Sequence, residues 1–319
     1  MRKIFVTGAS GFIGKAIAAD LKRKGYAVRA CRHDRAVAIK DVETVDVDIT
    51  RPDELIPALE GVDTVVHGAA LIGAWHRWDD LYRTNVEGTK NVVERAIESG
   101  VGHIIYLSST AVMNEHIDHS GTDETGFHDR TDLDSYSNSK IMAELAVRKY
   151  TDEVRISVIR PGWVWGPGSS ELKRVCDMLR TGSFIFPGPG TNRLNLVYID
   201  NIVAAVTSAI ERRAQGTYIV TDGQGITLNE FIGAFCASLG TNRDYLRLPY
   251  SLCYNLTRLS EMCGQLMDHE FPTRLEISNL GRSLEFNTEK ARRELDFKPK
   301  VAFADGVKMT VDWYRRLCK

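Results

Sequence analysis

Tyr136 and Lys140 stand four residues apart in "YSNSK" (136–140), a spacing that puts both side chains on one face of a helix. A phenol of ordinary pKa, near 10, gives up its proton too rarely at neutral pH, and an ammonium held beside it favours the phenolate. Such a pair can hand a proton to a carbonyl oxygen that receives hydride, or take it back from the alcohol in reverse. The same spacing occurs on solvated helix faces, so the pair needs support from the rest of the chain.

That support starts near residue 6. "VTGASGFIGKAIAADL" (6–21) reads as a strand, a glycine-rich turn and a helix, with Gly8, Gly11 and Gly14 in the turn. The first glycine allows the tight turn, and the second lets backbone N–H groups approach a pyrophosphate. The third lets helix and strand pack closely, while the helix dipole favours the negative charge. The segment predicts a dinucleotide site.

In that architecture the end of the second strand, about 20 positions past the glycines, meets the adenosine ribose. An acid there would accept hydrogen bonds from the 2′-hydroxyl of NAD. "YAVRACRHDR" (26–35) places Cys31 and Arg32 at this point, flanked by Arg29, His33 and Arg35. Arg32 would pair with a 2′-phosphate through two parallel hydrogen bonds and lie against the adenine, with Arg35 and His33 adding charge. The expected cofactor is therefore NADP(H) in preference to NAD.

The elements that must hold these groups are read from composition and pattern. With 319 residues, 43% hydrophobic and 26% charged, the chain suits a soluble globular protein with a sizeable core. Lys+Arg 41 against Asp+Glu 42 argues against a nucleic-acid or membrane-surface binder. No apolar run approaches the roughly 18 residues of a membrane helix. The apolar stretch Ile4–Thr7 is too short for a signal peptide, so a cytoplasmic protein is expected. The six cysteines, Cys31, Cys176, Cys236, Cys253, Cys263 and Cys318, include no C-x-x-C pair and read as reduced thiols. "NEHIDHSGTDETGFHD" (114–129) gathers His116, His119 and His128 with Glu115, Asp118 and Asp123. It reads as a solvated or lid-like polar loop, and no metal site is expected.

Strands are predicted at 3–8, 27–31, 43–48, 63–69, 103–109 and 155–162, with helices near 12–24, 51–60, 79–99 and 136–150. This alternation implies βαβ units and a doubly wound α/β fold with a parallel sheet. After about residue 165 turn-rich segments loosen the rhythm, with helices near 170–181, 229–239 and 250–266. Residues 1–165 form the expected dinucleotide-binding domain. Residues 166–319 form a smaller, interleaved substrate-binding region across the carboxyl end of the sheet.

"TGASGFIG", Asp48-Ile49, "HGAA" (67–70), Asn85 in "YRTNVEGT", "LSST" (107–110), "YSNSK" and "RPGWVWGPG" (160–168) follow in order, and "LVYIDNIVAA" (196–205) extends the set. The set resembles the extended branch of the short-chain dehydrogenase/reductase superfamily, the NAD-dependent epimerase/dehydratase type, with its Rossmann fold. The resemblance implies cofactor contacts at Gly8, Ser10, Gly11, Phe12, Ile13, Gly14, Arg32, Asp48, Ile49, Gly68, Ala69, Ala70, Asn85, Ser108, Tyr136, Lys140, Pro161 and Val164. It makes Tyr136 the general acid/base and lets Lys140 hold the nicotinamide ribose. It assigns the hydroxyl that meets the reacting oxygen to Thr110, with Ser109 as the alternative.

Sugar-nucleotide enzymes of this branch usually carry an asparagine where Trp163 stands, and "RPGWVWGPG" looks more like the 3β-hydroxysteroid dehydrogenase and dihydroflavonol reductase group. That implies carbonyl/alcohol chemistry on a fairly apolar small molecule, with Trp75, Trp78 and "FIFPGPG" (184–190) offered as lining. Arg193, which could hold a diphosphate, keeps a nucleotide-sugar epimerase or dehydratase as the alternative. A non-catalytic NADP-binding protein would have lost Tyr136 or Lys140, and both are present. A homodimer is expected from the resemblance, with no nucleic-acid or membrane partner.

Overall fold

Runs of Val, Ile and Leu buried on both faces set the frame. In the computed structural model, which describes residues 2–33, 39–114, 116–127, 134–267 and 272–318, they form one seven-stranded parallel sheet. Its strands are β1 (Lys3–Thr7), β2 (Ala27–Arg32), β3 (Glu43–Asp46), β4 (Thr64–His67), β5 (His103–Leu107), β6 (Arg155–Pro161) and β7 (Gly216–Val220). Their order is β7-β6-β5-β4-β1-β2-β3. All residues of β4 and β5 are buried, as expected for strands covered above and below.

Alternation divides each strand between two cores. On β1, Ile4 and Val6 enter the core with Ile17 and Leu21 of α1 (Phe12–Arg23), while Phe5 enters the other. That second core takes Leu55 of α2 (Pro52–Leu59), Val92 and Val93 of α3 (Gly88–Glu98) and Ala143 and Val147 of α4 (Ser135–Arg148). Each fully buried branched aliphatic side chain stabilises the fold by roughly 1.5–3 kcal/mol.

The chain runs outward from β1 through β2 to β3, then crosses to β4 on the other side of β1, so a crevice opens at the carboxyl ends of β1 and β4. Two glycines make this junction possible. Gly8 adopts φ +70°, and a Cβ there would stand 2.7 Å from the backbone of Gly68 and Ala69. A Cβ on Gly14 would come within 2.2 Å of the Gly8 carbonyl oxygen.

Beyond β6 follow α5 (Ser170–Thr181), α6 (Ile199–Glu211), α7 (Leu228–Leu239), α8 (Tyr250–Met267), α9 (Arg274–Gly281), α10 (Glu289–Leu295) and α11 (Phe303–Leu317). Short parallel pairs join Trp163–Trp165 to Leu196–Tyr198 and Ile185–Pro187 to Leu246–Leu248. Among them, β7 returns to the main sheet beside β6. Asp222, just past β7, accepts from the Tyr198 N–H and from Asn201 Nδ2, both at 2.8 Å. Asn201 Oδ1 in turn accepts from the N–H groups of Lys300 and Val301, tying α6 to the chain before α11. No helix among the described residues is long and apolar enough to cross a membrane.

Two segments differ from the sequence reading. The helix expected over 79–99 is a short turn (Trp78–Leu81), a π-helical stretch (Tyr82–Glu87) and α3. The 114–129 segment is exposed at Ile117, Asp118, Ser120, Gly121, Asp123, Thr125 and Gly126, yet its described histidines turn inward. His119–Thr122 pairs with Leu284–Phe286, and His116 and His119 are buried. His116 takes φ +61° and packs edge-on against Tyr254 at 5.4 Å between centroids. The polar composition of the segment hid this, because its burial depends on partners from α8 and from residues 284–286. Glu115 and His128 lie outside the described residues.

Candidate active site

The amino end of α1 faces the crevice. Gly11 is its N-cap, no side chain caps it, and its first turn holds no acid. Its leading N–H groups and positive dipole end therefore suit an anion. Ser10, Phe12 and Ile13 are half-buried around the turn. Gly168 at φ +100° leaves room for the Phe12 ring, which a Cβ there would meet at 3.3 Å.

Across from the turn, Thr7 organises the start of "HGAA". Its Oγ1 accepts from the N–H groups of Gly68 and Ala69 at 3.2 and 3.1 Å and meets His67 Nδ1 at 2.7 Å. With both acceptor positions used, Thr7 gives its proton to Nδ1, so the His67 ring proton sits on Nε2, 2.9 Å from Thr89 Oγ1. Burial, reinforced by the positive charge of Lys140, holds His67 neutral, its pKa pushed down to about 3. Ala70 follows, half-buried, at the crevice edge.

At the ribose end, Asp48 accepts from the Thr50 N–H at 2.9 Å and from its hydroxyl at 2.8 Å, which shapes the turn after β3. Ile49 is buried, and its carbonyl takes a hydrogen bond from Asn91 at 3.0 Å. The basic cluster divides. Arg29 is 9% exposed and donates to the Pro57, Ala58 and Glu60 carbonyls at the end of α2, so it serves that helix terminus. Arg32 is exposed and forks onto Asp46 of β3 through Nε and Nη2, the latter at 2.6 Å from Oδ2. His33 is exposed, and Arg35 lies outside the described residues.

The π-helical stretch gives Asn85 its place. Its amide accepts from the Leu71 N–H at 2.8 Å and donates to the Leu71 carbonyl at 3.0 Å and to Ser139 Oγ at 2.9 Å. Ser139 donates to the Tyr136 carbonyl at 2.7 Å. Asn85 thereby clamps the chain after "HGAA" to the helix that carries Tyr136 and Lys140. Asp134 caps that helix, accepting from the Ser137 N–H at 2.9 Å and hydroxyl at 2.6 Å.

Tyr136 is buried, with Ser109 close enough to its hydroxyl to favour the phenolate. Burial drives the phenol pKa above its ordinary value, Asp134 and Glu171 add to this, and the Ser109 contact opposes it. Pairing with a lysine alone would lower it, so in the protein itself burial wins and the phenol keeps its proton. Lys140 Nζ donates to the Leu107 carbonyl at 2.9 Å and lies 4.6 Å from the Tyr106 ring centroid. Burial lowers its pKa to about 8, against the pull of Glu144.

Of the two hydroxyls offered for the reacting oxygen, Ser109 meets Tyr136 and accepts from the Ala111 N–H at 3.1 Å. Thr110 accepts from Asn195 Nδ2 at 2.7 Å. Ser108 turns away from the crevice and donates to Glu144 Oε2 at 2.5 Å.

Glu144 is the group sequence reading missed. Fully buried, it receives Arg160 at 2.6 Å and Arg148 at 2.7 Å, and Arg160 is itself fully buried. Burial would raise its pKa, but Arg160, Ser108 and Arg148 outweigh that and hold it below the ordinary carboxylate value. Phe127 lies beneath both guanidinium groups, at 4.1 and 4.9 Å from its centroid.

Pro161 ends β6 and is buried, and Val164 sits half-buried between Trp163 and Trp165 in the short pair with residues 196–198. Trp163 donates to Glu171 Oε2 at 2.6 Å. Trp78 is 40% exposed beside Tyr82, and Trp75 folds over Gly73. Arg193 is half exposed and stands 3.6 Å from Glu285.

A parallel sheet with this crossover, a glycine turn at its switch point and a buried Tyr–Lys helix define a Rossmann-fold oxidoreductase of the short-chain type. Residues 4–220 match the family model of the NAD dependent epimerase/dehydratase family, so the chain belongs to that family and is an enzyme of the extended short-chain dehydrogenase/reductase kind. It is 29% identical to a 2-alkyl-3-oxoalkanoate reductase of Stenotrophomonas maltophilia (strain K279a), over 96% of this chain and 97% of the relative. It is 27% identical to a decarboxylating sterol-4-alpha-carboxylate 3-dehydrogenase of Mus musculus, over 100% and 92%. Among solved structures, gox2253 is 27% identical with a TM-score of 0.82, covering 99% of each chain. MoeE5 in complex with UDP-glucose and NAD, at 21% identity and a TM-score of 0.80 over 99% of this chain and all of its own, shares the fold.

Proposed function

We propose that the protein is an NADP(H)-dependent oxidoreductase that interconverts a carbonyl and an alcohol on a fairly apolar small molecule. The observation that carries this reading is Tyr136, buried and protonated beside Ser109, with Lys140 one turn along the same helix. When bound, the nicotinamide supplies or accepts the hydride. Tyr136 Oη delivers its proton to the carbonyl oxygen during reduction and recovers it in reverse. Lys140 holds the ribose and contributes the charge that steadies a phenolate.

The residues present fit such a cofactor. The uncapped amino end of α1 and the close Gly8–Gly14 packing leave room and dipole for a pyrophosphate. Asp48, Ile49, Gly68, Ala69, Ala70, Asn85, Pro161 and Val164 border the remainder of that cleft in our reading. Arg32 would turn from Asp46 to a 2′-phosphate, which supports NADP(H) over NAD. The relatives named as a 2-alkyl-3-oxoalkanoate reductase, a sterol dehydrogenase and a farnesyl-quinoline ketoreductase support an apolar carbonyl or alcohol substrate.

The test is NADPH oxidation across hydrophobic ketones that include 2-alkyl-3-oxoalkanoates, with Tyr136→Phe alongside. Turnover should fall about 10²–10⁴-fold in the variant while NADPH binding barely changes. Near-normal turnover by Tyr136→Phe would remove Tyr136 from the role. The exposed Arg193 favours one further reading, a nucleotide-sugar enzyme. Calorimetry with UDP- and GDP-sugars separates the two, because tight binding of any of them would put that reading first.

A further inference from the structure

Thr110 and Ser109 are adjacent, yet their hydroxyls have different partners. Ser109 lies beside Tyr136 and accepts from the Ala111 N–H at 3.1 Å. Thr110 Oγ1, 6% exposed, accepts from Asn195 Nδ2 at 2.7 Å and makes no other hydrogen bond among the described residues. A hydroxyl that accepts in this way still has its own proton to give.

Asn195 is tightly enclosed. It is 7% exposed, and its backbone carbonyl accepts from the Trp163 N–H at 2.6 Å. Gly162 presses on its side chain so closely that a Cβ there would lie 2.5 Å from Oδ1. Oδ1 is buried with no hydrogen-bond partner among the described residues. With the amide turned the other way, Oδ1 would take the Thr110 proton and leave nothing for a substrate.

We infer that Asn195 is a positioning residue that acts through Thr110. It occupies an acceptor position on the Thr110 oxygen and so directs the Thr110 proton to the reacting carbonyl oxygen, while Ser109 serves Tyr136. The inference rests on the carbonyl/alcohol reading above. The carbonyl oxygen gains negative charge during hydride transfer, so a donor aimed at it acts on kcat more than on KM.

The experiment is a double-mutant cycle in the whole protein, with NADPH and a 2-alkyl-3-oxoalkanoate as the probe. Asn195→Asp keeps the shape but accepts the Thr110 proton. It should lower kcat on the order of tenfold or more, with the NADPH affinity close to that of the unmodified protein. Thr110→Val should do the same. In the Thr110→Val background, Asn195→Asp should change kcat by less than about twofold. An undiminished drop in that background, or a change in KM alone, overturns the proposal. Asn195→Leu, which removes the donor without adding charge, repeats the cycle if the aspartate variant fails to fold. The Asn195 side-chain amide resonance should also shift on Thr110→Val, and an unmoved resonance overturns the contact without any turnover measurement. If the unmodified protein reduces no ketone, the carbonyl/alcohol reading fails, while the resonance still decides the Asn195–Thr110 contact.

Discussion

The helix under Tyr136 and the end of β2 both present charged side chains, and they hold them in opposite ways. Glu144 and Arg160 are fully buried, with Arg148 and Ser108 completing the set around the carboxylate. Arg32 and Asp46 are 44% and 69% exposed and hold each other in water. A buried pair that loses one partner leaves an uncompensated charge in a low-dielectric interior. An exposed pair exchanges partners at little cost, because solvent replaces what is lost. In the proposed reading, the contrast separates the chemistry, which must be rigid, from cofactor choice, which must be open to a ligand.

The largest test of that contrast is on the buried side. Arg160→Met should destabilise the fold by about 3–5 kcal/mol in urea denaturation, since Glu144 stays buried and charged. Arg160→Met combined with Glu144→Gln should recover part of that loss. An Arg160→Met variant as stable as the unmodified protein would show that the ladder beneath the site is dispensable.

The matching change on the exposed side is Arg32→Asp. It should leave the denaturation midpoint near its original value and reverse the cofactor preference. The preference at stake is roughly 10- to 150-fold for NADP over NAD, from charge-assisted hydrogen bonds to a 2′-phosphate. Equal affinity of the unmodified protein for both cofactors, measured by fluorescence titration, would rule out this use of Arg32.

Lys140 joins the two halves through pH. Its pKa, pushed down to about 8 by burial, is below that of a free lysine, so its charge is present below about pH 8 and lost above. Tyr136 stays protonated over the same range. The reductive rate should therefore be flat below about pH 8 and fall toward tenfold per unit above it. The stability contribution has the opposite sign. Between the folded value and the ordinary lysine value the unfolded chain binds more protons, so stability from this group rises with pH. A Lys140→Met variant should show a low, flat rate with that limb gone.

How much of this was legible depends on where the partners lie in the chain. The glycine turn, β1 to β6 and the Tyr136–Lys140 pair rest on local spacing and on apolar runs, and the sequence shows them directly. The same i, i+4 ladder continues to Glu144 and Arg148, yet its meaning depends on Arg160, which β6 brings in from 16 residues away. Asn85 was recognisable by its motif, but the π-helical stretch that turns it toward Leu71 was not. His116 looked solvated because its neighbours are polar, whereas Tyr254 and Asp134 enclose it, with Asp134 Oδ2 at 3.9 Å from Nε2. The division between Ser109 and Thr110 needed Asn195, 85 residues from Thr110. Strand β7 escaped notice because the chain rejoins the sheet only after α5 and α6.

Asp46 provides the smallest effect and the finest test of the exposed pair. Its carboxylate holds Arg32 in a fork at the end of β3, and the guanidinium beside it keeps that carboxyl below its ordinary pKa. A 2′-phosphate and Asp46 therefore compete for the same donors. Asp46→Asn keeps the size of the side chain but withdraws the competing charge, so the fork is freed for the phosphate. Because both groups are exposed, the melting midpoint should hardly move. Affinity for NADP should rise severalfold while affinity for NAD stays the same, and the gain should shrink in high salt as screening weakens the remaining charges. A fall in NADP affinity would mean that Asp46 orients Arg32 for the phosphate instead of competing with it, and a matching change for NAD would mean that the pair shapes the strand end alone.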